Sequence, residues 1–502
     1  MLFGMNWKRY FLGLEVFSLF ALVLSGLAIA YLLSPSYMEY ANVEPLVAVG
    51  AQQWLHGYPL YTSASGPNFY STVYGPATYL YTAFGLVLFK DPILGSKFSS
   101  VVLCIVTLLV FTWAAKRTLR WSETLFALGL FSIQSLFLPE FCFGIAVNPG
   151  LTFATVLGLL STTFSHWNVR LGLLAFATGL ALCTKLHGPI YLLPAWIIFF
   201  YEGGWQKSLW CGLISVEIFL LPFFLNGVSL RNQIDLLIML NHHPRQWGMF
   251  VGTVATELLL AWPVLILLAV PKHRGLWSLE GRVRQIAMGL FLGFLLVLVP
   301  ATKEGSGAHH LWPFIPWISY VIALWLQSAE TRTTSTLRMQ VIRSCLMIWI
   351  FFQAVDAYRE IGGVTEFLKD GSRRALVDED IKSILLRYPN NPLQMGYGSD
   401  RSFTLTYYRP LLYARQTPCL IDGTAAMDFA EAGYSLKPAC HAMLVRKDDL
   451  WLIPKNEAPF TITSWYEPHS RLFDKALGDE FLSHFHKVAS SSYFDIYGYR
   501  TR

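Results

Sequence analysis

The chain has 502 residues, of which 54% are hydrophobic and only 14% are charged. A soluble domain carries charge on about a quarter of its residues, so this composition excludes an ordinary soluble protein and favours a protein that crosses the membrane many times. The formal net charge of +6 is what basic loops on one side of a membrane produce, and it gives no reason to expect nucleic-acid binding.

Apolar runs near the length of about 20 residues that a bilayer requires predict about eleven membrane spans. The first run follows a basic N-terminus, as in a signal peptide, but it is too long and no small-residue cleavage site follows it, so we expect a retained helix. The predicted spans are centred on residues 11–33, 93–114, 123–139, 148–164, 171–184, 187–201, 208–227, 250–270, 286–302, 312–327 and 339–355.

The segment YGPATYLYTAFGLVLF (74–89) is also apolar, but a full crossing there would move the basic loop at 116–120 to the other side of the membrane. We therefore predict a re-entrant or interfacial helix. With that choice the basic residues between spans share one side, which is the cytoplasmic side by the positive-inside rule. These residues are Lys8, Arg9, Lys116, Arg117, Arg120, Arg170, Lys207 and those within 272–285 and 330–338.

The opposite side receives a long first loop, 34–92, in which no Lys or Arg occurs from Ser34 to Phe89. A loop of this length without its own span is often functional. The other segments on this side are 140–147, 228–249, 303–311 and the chain after about residue 356. We predict a transmembrane domain at 1–360, and a small extracytoplasmic α/β domain at 361–502.

The C-terminal region has charged residues at ordinary density and short apolar runs such as LWLIP and FDIYGY between turn signals. Helical spacing in ALVDEDIKSILLRYP and a strand pattern in PLQMGYG support the α/β prediction. A disulfide between Cys419 and Cys440 is chemically possible if this domain is outside the cytoplasm. No cofactor-binding fingerprint is present, and we predict no cofactor, leaving a divalent metal open.

Glu44 is one of two carboxylates in the positive-free part of the first loop, and Pro45 follows it. Proline suits the first helical turn, so Glu44 is predicted to cap a helix that runs to about Leu55 and stops near Gly57. One interpretation is a cap alone; the other is a general base held just outside the bilayer, and the two are compatible. Nothing near Glu39 fixes that second carboxylate in the same way.

Other polar residues at the membrane edge are costly unless partnered, so each is a candidate substrate contact. Lys185 either reaches the interface with its long side chain or binds phosphate. The glycine-rich KEGSGAHHLWPFIP (303–316) is either a hairpin tip or a phosphate-binding turn. Adjacent histidines such as His242 and His243 are weak evidence for a metal, because neighbouring side chains point different ways. The candidates are Glu140, Lys185, Arg245, Lys303, His309 and His310.

These residue types fit a reaction in which a carboxylate takes a proton from a hydroxyl group and cationic side chains stabilise a departing phosphate. A cleft at the membrane surface suits a substrate with a lipid tail. The same residues would fit a transporter of an anionic lipid equally well.

The order of the motifs resembles the GT-C membrane glycosyltransferases, in the branch of protein O-mannosyltransferases, aminoarabinose transferases and related lipopolysaccharide glycosyltransferases. The resemblance covers about residues 5–355. It rests on Glu44 with Ala51, Leu55, Gly57 and Tyr61, on the Tyr-Gly-Pro at 74–76, on DPILGSKFSSVV, on the Thr-Lys-x-x-Gly element in ALCTKLHGPIYLLP, and on KEGSGAHHLWPFIP.

The resemblance implies an inverting transfer of a hexose or pentose from a polyprenyl-phosphate sugar to a glycan, lipid or protein acceptor at the outer face of the membrane. It implies that Glu44 is the base, and that Lys185 and Lys303, with His309 and His310 near them, bind phosphate. It also implies a multi-pass protein of a bacterial inner membrane, in cell-envelope synthesis, with a cytoplasmic N-terminus.

Two positions depart from the family pattern. Val43 stands where relatives often carry a second acidic residue, and Asn148-Pro149-Gly150 stands where they often carry Arg-Pro-Asp. These departures keep two alternatives open: a transporter or flippase of a polyprenyl-linked lipid, and a non-catalytic scaffold of the same fold. The absence of internal repeats in the sequence and the position of the polar residues in loops favour an enzyme over a transporter.

Overall fold

The structure is a computed structural model, and it describes residues 43–63, 65–136, 148–268, 279–303, 306–330, 349, 371–467 and 469–500. Two sequence predictions therefore lie outside the described residues: the first span at 11–33, and the loop that contains Glu140. The last predicted span, 339–355, is described at Trp349 alone.

Helices fill most of the described part of the chain before residue 331. They are α1 (Glu44–Leu55), α2 (Pro76–Leu88), α3 (Pro92–Lys116), α4 (Trp121–Leu136), α5 (Asn148–Ser161), α6 (Trp167–Thr184), α7 (Leu193–Leu220), α8 (Leu230–Leu240), α9 (Trp247–Leu268), α10 (Leu279–Ala301) and α11 (Ile315–Glu330). Short 3-10 helices stand at Gly188–Leu192, Leu221–Phe224 and Ala308–Phe314.

Within the described residues, four helical segments are long and apolar enough to cross a membrane: Pro92–Lys116, Trp167–Thr184, Gly188–Phe224 and Gly281–Ala301. They support an integral membrane protein, while the count of about eleven spans stays a prediction. Helix α2 has 13 residues and is therefore about 20 Å long, too short for a hydrocarbon core of about 30 Å. Its length agrees with the prediction of a re-entrant or interfacial helix.

Helix α7 reverses direction at Gly204, whose φ of 76° lies outside the helical region. Before this glycine the chain runs antiparallel to α6, because Trp196 donates a hydrogen bond to Thr178 and Phe199 stacks on Trp167. After it the chain runs parallel to α6. The thiol of Cys211 contacts the carbonyl of Leu171 at 3.9 Å, and that of Cys183 contacts the carbonyl of Phe219 at 3.5 Å. The segment covers the residues predicted as two spans, 187–201 and 208–227, and the number of spans stays a prediction.

The basic residues predicted to share one side meet at one end of the helices. Arg117 donates to Thr163 Oγ1 at 3.0 Å, and Arg282 donates to the carbonyl of Thr162. Arg170 pairs with Glu202. These contacts lie at the ends of α3, α5, α6 and α10, as the predicted cytoplasmic loops require. The other end of the helices is left to the first loop and the C-terminal region.

The C-terminal region is a small α/β unit, as predicted. Its four-stranded sheet has the order β1-β2-β4-β3, in which β1 and β2 are parallel and the other pairs antiparallel. The strands are β1 (Leu393–Met395), β2 (Leu450–Pro454), β3 (Phe485–Ser490) and β4 (Phe494–Tyr499). The helices are α12 (Gly371–Arg387), α13 (Arg409–Tyr413), α14 (Gly423–Glu431), α15 (Lys437–Val445) and α16 (Lys475–His484), with a 3-10 helix at Asp400–Tyr408.

This unit packs directly on the first loop, and the two share one buried apolar cluster. The amide of Gln53 donates to the carbonyl of Thr417 at 2.9 Å, and its Oε1 accepts from the backbone of Cys419 at 3.0 Å. Phe69 pairs with Ile421 in an isolated β-bridge. The first loop and the C-terminal unit therefore lie at the same end of the helices.

The disulfide considered from the sequence does not form. Cys419 and Cys440 are both free thiols. Cys419 is fully buried, held by Gln53 against the first loop, whereas Cys440 lies on α15. Because the two cysteines pack in different places, the chain's spacing between them does not predict a disulfide.

Candidate functional site

Glu44 is at the first residue of α1 and is almost completely buried. It forms an ion pair with Lys97 of α3, with 3.2 Å between Lys97 Nζ and Glu44 Oε2 and side-chain exposures of 13% and 4%. The N-cap position belongs to Val43, and no side chain caps the helix. The predicted cap is therefore wrong by one residue, whereas the predicted end near Gly57, with its φ of 87°, is confirmed.

Lys97 fixes where Glu44 lies along α2. Gly85 of α2 packs against Gly95 of α3, two residues before Lys97. Glu44 is accordingly near the Gly85 end of α2, and Gly75 marks the opposite end. Ten residues of helix span about 15 Å. Gly75 and Gly85 are therefore separated by about this length of helix.

The Gly75 end of α2 docks on the end of α6, which joins two of the sequence motifs. The Gly75 amide donates to the carbonyl of Thr184 at 2.9 Å. A Cβ at Gly75 would stand 2.0 Å from the carbonyl oxygen of Cys183, so only glycine permits this approach. A Cβ at Gly188 would likewise stand 2.3 Å from the carbonyl oxygen of Ala181. The Tyr-Gly-Pro and Thr-Lys-x-x-Gly elements thus form one packed junction.

Lys185 emerges from this junction, immediately after the last residue of α6. Its ammonium group lies 5.7 Å from the centre of the Tyr74 ring, and within the described part of the chain it forms no ion pair. Burial lowers the pKa of Lys185 to about 8. A half-buried lysine without a carboxylate partner is suited to an anionic ligand.

Three histidines lie beside Lys185. His310 Nδ1 and His187 Nε2 are 3.0 Å apart, and the His309 and His310 ring centres are 4.5 Å apart. Burial lowers the pKa of the His309 and His310 imidazoles, and the charge of Lys185 lowers both further. They are therefore neutral near pH 7.

The His187–His310 contact has a consequence for ligand binding. His310 is 3% exposed, and its Nε2 has no hydrogen-bond partner. When His187 Nε2 carries the hydrogen and donates to His310 Nδ1, the second nitrogen of His310 carries a hydrogen and is a free donor. The hydroxyl of Tyr191, whose ring contacts His187, is also buried without a partner. Buried polar atoms without partners are rare, so these two atoms are candidate contacts for a ligand.

Lys303 and Arg245 come together at the edge of the same cluster. They pair in an isolated antiparallel bridge, and Lys303 Nζ donates to Asn241 Oδ1 at 2.7 Å. Burial lowers the pKa of Lys303, and the charge of Arg245 lowers it further. Backbone hydrogen bonds join Lys303 to the histidine segment, because the Ser306 amide donates to the Lys303 carbonyl at 3.0 Å and the His310 amide donates to the Gly307 carbonyl at 3.1 Å.

We call Lys185, His187, Lys303, His309 and His310 the basic cleft. It unites four of the seven residues proposed from the sequence, with Arg245 at its rim. It does not include Glu44, which pairs with Lys97, and Glu140 lies outside the described residues. Among the described residues, no group of three or more His, Cys, Asp or Glu side chains is suited to a metal ion.

The second departure from the family pattern lies beside this cleft. Gly150, in the first turn of α5, faces Thr184, and its Cβ position would be 3.1 Å from Thr184 Cγ2. An acidic side chain at residue 150 would therefore point towards the neighbourhood of Lys185. With glycine there, Lys185 keeps its charge unpaired.

Sequence reasoning missed Lys97 and Tyr74. It also missed the contacts that Gln53 and Phe69 make with the C-terminal unit. Tyr74 was visible as part of the Tyr-Gly-Pro element, but nothing in the sequence related its ring to Lys185. Lys97 lies within an apolar helix, where a single lysine two turns from the helix start is the only signal.

Comparisons with known proteins agree with this architecture. No protein-family model matches the chain, and no curated protein matches it by sequence. The crystal structure of ArnT from Cupriavidus metallidurans bound to undecaprenyl phosphate is similar, with a TM-score of 0.57 and 14% identity, over 96% of this chain and 97% of that chain. The apo structure of the same protein gives a TM-score of 0.54 and 14% identity, over 95% and 97%. The chain therefore shares the fold of ArnT over nearly its whole length.

Proposed function

We propose that this protein is a membrane glycosyltransferase that takes a sugar from a polyprenyl-phosphate donor and transfers it with inversion to an acceptor at the end of the helices that carries the C-terminal unit. The observation that carries the proposal is the basic cleft, where, among the described residues, Lys185 has no carboxylate partner and His310 Nε2 has no hydrogen-bond partner. The similar ArnT structure contains undecaprenyl phosphate, which supports this donor class.

The cleft would act on the phosphate of the donor. Lys185 supplies a positive charge that strengthens as the leaving polyprenyl phosphate gains negative charge, and removing such a group typically costs about 10²–10³-fold in rate. His310 would donate a hydrogen bond from Nε2, and Lys303 and Arg245 would add charge at the rim. Glu140 stays a proposed contact from the sequence.

The apolar tail of the donor requires access from the lipid. Helix α2 begins at the basic cleft and presents exposed apolar side chains towards its other end, including Phe84, Val87 and Leu88. A tail lying along this face would keep its phosphate at the Gly75 end. The protein is accordingly proposed to work within a bacterial inner membrane, with the cleft and C-terminal unit outside the cytoplasm.

Glu44 is the base that the motif resemblance implies, and this role stays a prediction. The ion pair with Lys97 holds the Glu44 carboxylate in a fixed position. The proposed function does not depend on which carboxylate accepts the proton.

The test uses the purified full-length protein in lipid nanodiscs with a panel of undecaprenyl-phosphate sugars, both hexosyl and pentosyl. Release of undecaprenyl phosphate that depends on wild-type protein and falls about 10²-fold or more in Lys185→Met is the expected result. Saturable binding of undecaprenyl phosphate without release from any donor would contradict the proposal and favour a flippase or a scaffold. Lys116→Met, at the opposite end of the helices, is the control.

A further inference from the structure

The loop at residues 241–246, which follows α8, is held on one side by the C-terminal unit. His243 is 8% exposed, and its Nε2 donates to the backbone carbonyl of Asp428 on α14 at 2.9 Å. Its ring is in edge contact with the ring of Tyr466, with centres 5.2 Å apart. The hydroxyl of Tyr466 in turn donates to Asp428 Oδ1 at 2.5 Å. Two separate segments of the C-terminal unit therefore fix the side chain of His243.

Helix α8, from which this loop starts, is attached to the same unit. Its side chains Leu236 and Met239 are buried in the apolar cluster that also contains Met427 and Phe429 of α14. Side chains packed in a shared core hold their elements in a fixed relative position. The start of the loop and His243 are thus both anchored on the C-terminal unit.

The other side of the loop is bound to the edge of the basic cleft. The amide of Gln246 donates to the carbonyl of Thr302 at 2.9 Å, and Arg245 pairs with Lys303 in an antiparallel bridge. The ammonium group of Lys303 donates to Asn241 Oδ1 at 2.7 Å. The backbone and the side chain of Lys303 are therefore both held by this one loop.

Arg245 and Lys303 bring two positive charges to this edge of the cleft. Within the described part of the chain, neither of them forms an ion pair with a carboxylate. Neighbouring like charges repel each other, and an anion bound between them offsets that repulsion. The Ser306 amide also donates to the Lys303 carbonyl at 3.0 Å, which joins Lys303 to the segment that carries the cleft histidines. This edge is accordingly suited to a phosphate group.

On the basis of the proposed function, we propose that the loop at 241–246 makes binding of the donor phosphate depend on the C-terminal unit, with His243 as the positioning residue. The C-terminal unit holds His243, and the loop that contains His243 holds Lys303 and Arg245 in place for the phosphate. The C-terminal unit thereby contributes to donor binding without contacting the donor.

This inference also gives the two adjacent histidines different roles. His242 is exposed, and its Nδ1 contacts the carbonyl of Met239 at 3.1 Å, within its own helix turn. His243 is buried and reaches the C-terminal unit instead. Neighbouring side chains point in different directions, so His242 provides a matched control for His243 at the next position of the chain.

The experiment measures the Kd of undecaprenyl phosphate for the purified full-length protein in lipid nanodiscs. His243→Leu removes the hydrogen bond to Asp428, and we expect a Kd about 3- to 10-fold higher, as for the loss of one hydrogen bond. His243→Gln keeps an N–H donor of similar reach and should bind nearly as the wild type does, and so should the control His242→Leu. Equal Kd values for a folded His243→Leu protein and the wild type would overturn the proposal.

A double-mutant cycle shows whether His243 acts through Lys303. Lys303→Met should weaken binding by about 10-fold or more, since it removes a charged hydrogen-bond donor. If His243 acts by positioning Lys303, adding His243→Leu to Lys303→Met should cost little more, because coupled positions are not additive. A general loss of stability would instead multiply the two effects. Fully multiplied effects, or a Lys303→Met protein that binds as the wild type does, would contradict the proposed coupling.

A variant at an exposed position keeps the test open if His243→Leu does not fold. Asn241→Ala leaves the His243 contact in place but releases the Lys303 ammonium group, so phosphate binding must then order a free lysine side chain. We expect a Kd about 2- to 10-fold higher. Affinity equal to or above that of the wild type would overturn the coupling. A wild type that does not bind undecaprenyl phosphate would instead refute the proposed function, which separates the two failures.

Discussion

The backbone amide of Gly75 donates to the carbonyl of Thr184, the residue before Lys185, at 2.9 Å. This single bond ties the start of the re-entrant helix to the end of a membrane span. Because Lys185 follows directly, the position of its ammonium group depends on how closely the two backbones approach. The position of Lys185 in the basic cleft therefore depends on a glycine, Gly75, rather than on a charged neighbour.

Replacing Gly75 by alanine should disturb the cleft without changing any of its side chains. The added Cβ would meet the carbonyl oxygen of Cys183 at 2.0 Å, so α2 and α6 must separate. We expect weaker binding of undecaprenyl phosphate and a lower midpoint of thermal unfolding in detergent. Gly172→Ala is the matched control, since its Cβ position on α6 is open and alanine favours helix by up to about 1 kcal/mol. Equal donor binding by both variants would disprove the dependence on Gly75.

Lys185 should set the alkaline limit of activity. Its pKa of about 8 means that it is charged below that pH and loses its charge above it, so phosphate binding should weaken as the pH rises through about 8. The dependence of kcat/KM reports the free enzyme and should show this limb. Lys185→Arg keeps a positive charge at every accessible pH, so its limb should disappear. A limb that persists in Lys185→Arg belongs to another group.

Gly150 offers a way to give Lys185 a partner. Gly150→Asp would place a carboxylate next to Thr184, and an opposite charge nearby favours the charged lysine by about 1–3 pKa units. We expect the alkaline limb to move upwards and the binding of undecaprenyl phosphate to weaken, because the new carboxylate competes for Lys185. Gly150→Asn adds a side chain of the same shape without charge and should leave the limb in place. Identical pH profiles for the two variants would show that residue 150 does not reach Lys185.

Much of the fold could be predicted because it follows local patterns. The extent of α1, the reversal around Gly204 and the strands at LWLIP and FDIYGY each follow from spacing, glycine positions or the distribution of basic residues. The basic cleft was also foreseeable in part, since Lys185, Lys303, His309 and His310 lie in outer loops. Five of the seven proposed site residues lie in the cleft or at its rim, namely Lys185, Lys303, His309, His310 and Arg245.

The pairings across long stretches of chain could not be predicted. Glu44 meets Lys97 because α1 and α3 pack on the same helix, and the spacing of 53 residues carries no sign of it. Gln53 and Phe69 fasten the first loop to Thr417 and Ile421 of the C-terminal unit, although these partners lie far along the chain. Single-sequence patterns describe faces and ends of elements, whereas these contacts depend on how whole elements dock.

The Glu44–Lys97 pair gives a test of what Glu44 does. Both side chains are largely buried, and breaking such a pair by removing one partner costs about 3–5 kcal/mol, because the remaining charge is left without compensation. Glu44→Gln should therefore lower the midpoint of thermal unfolding in detergent. The double variant Glu44→Gln with Lys97→Met removes both charges and should recover much of that loss.

Transfer activity then distinguishes the two roles of Glu44. If the pair is structural, the double variant should regain activity together with stability. If Glu44 is the base, the stable double variant should remain at least about 10²-fold below the wild type. Measuring both quantities on the same preparations separates a catalytic from a structural role of Glu44, because only a catalytic carboxylate is still needed in a protein whose stability has been restored.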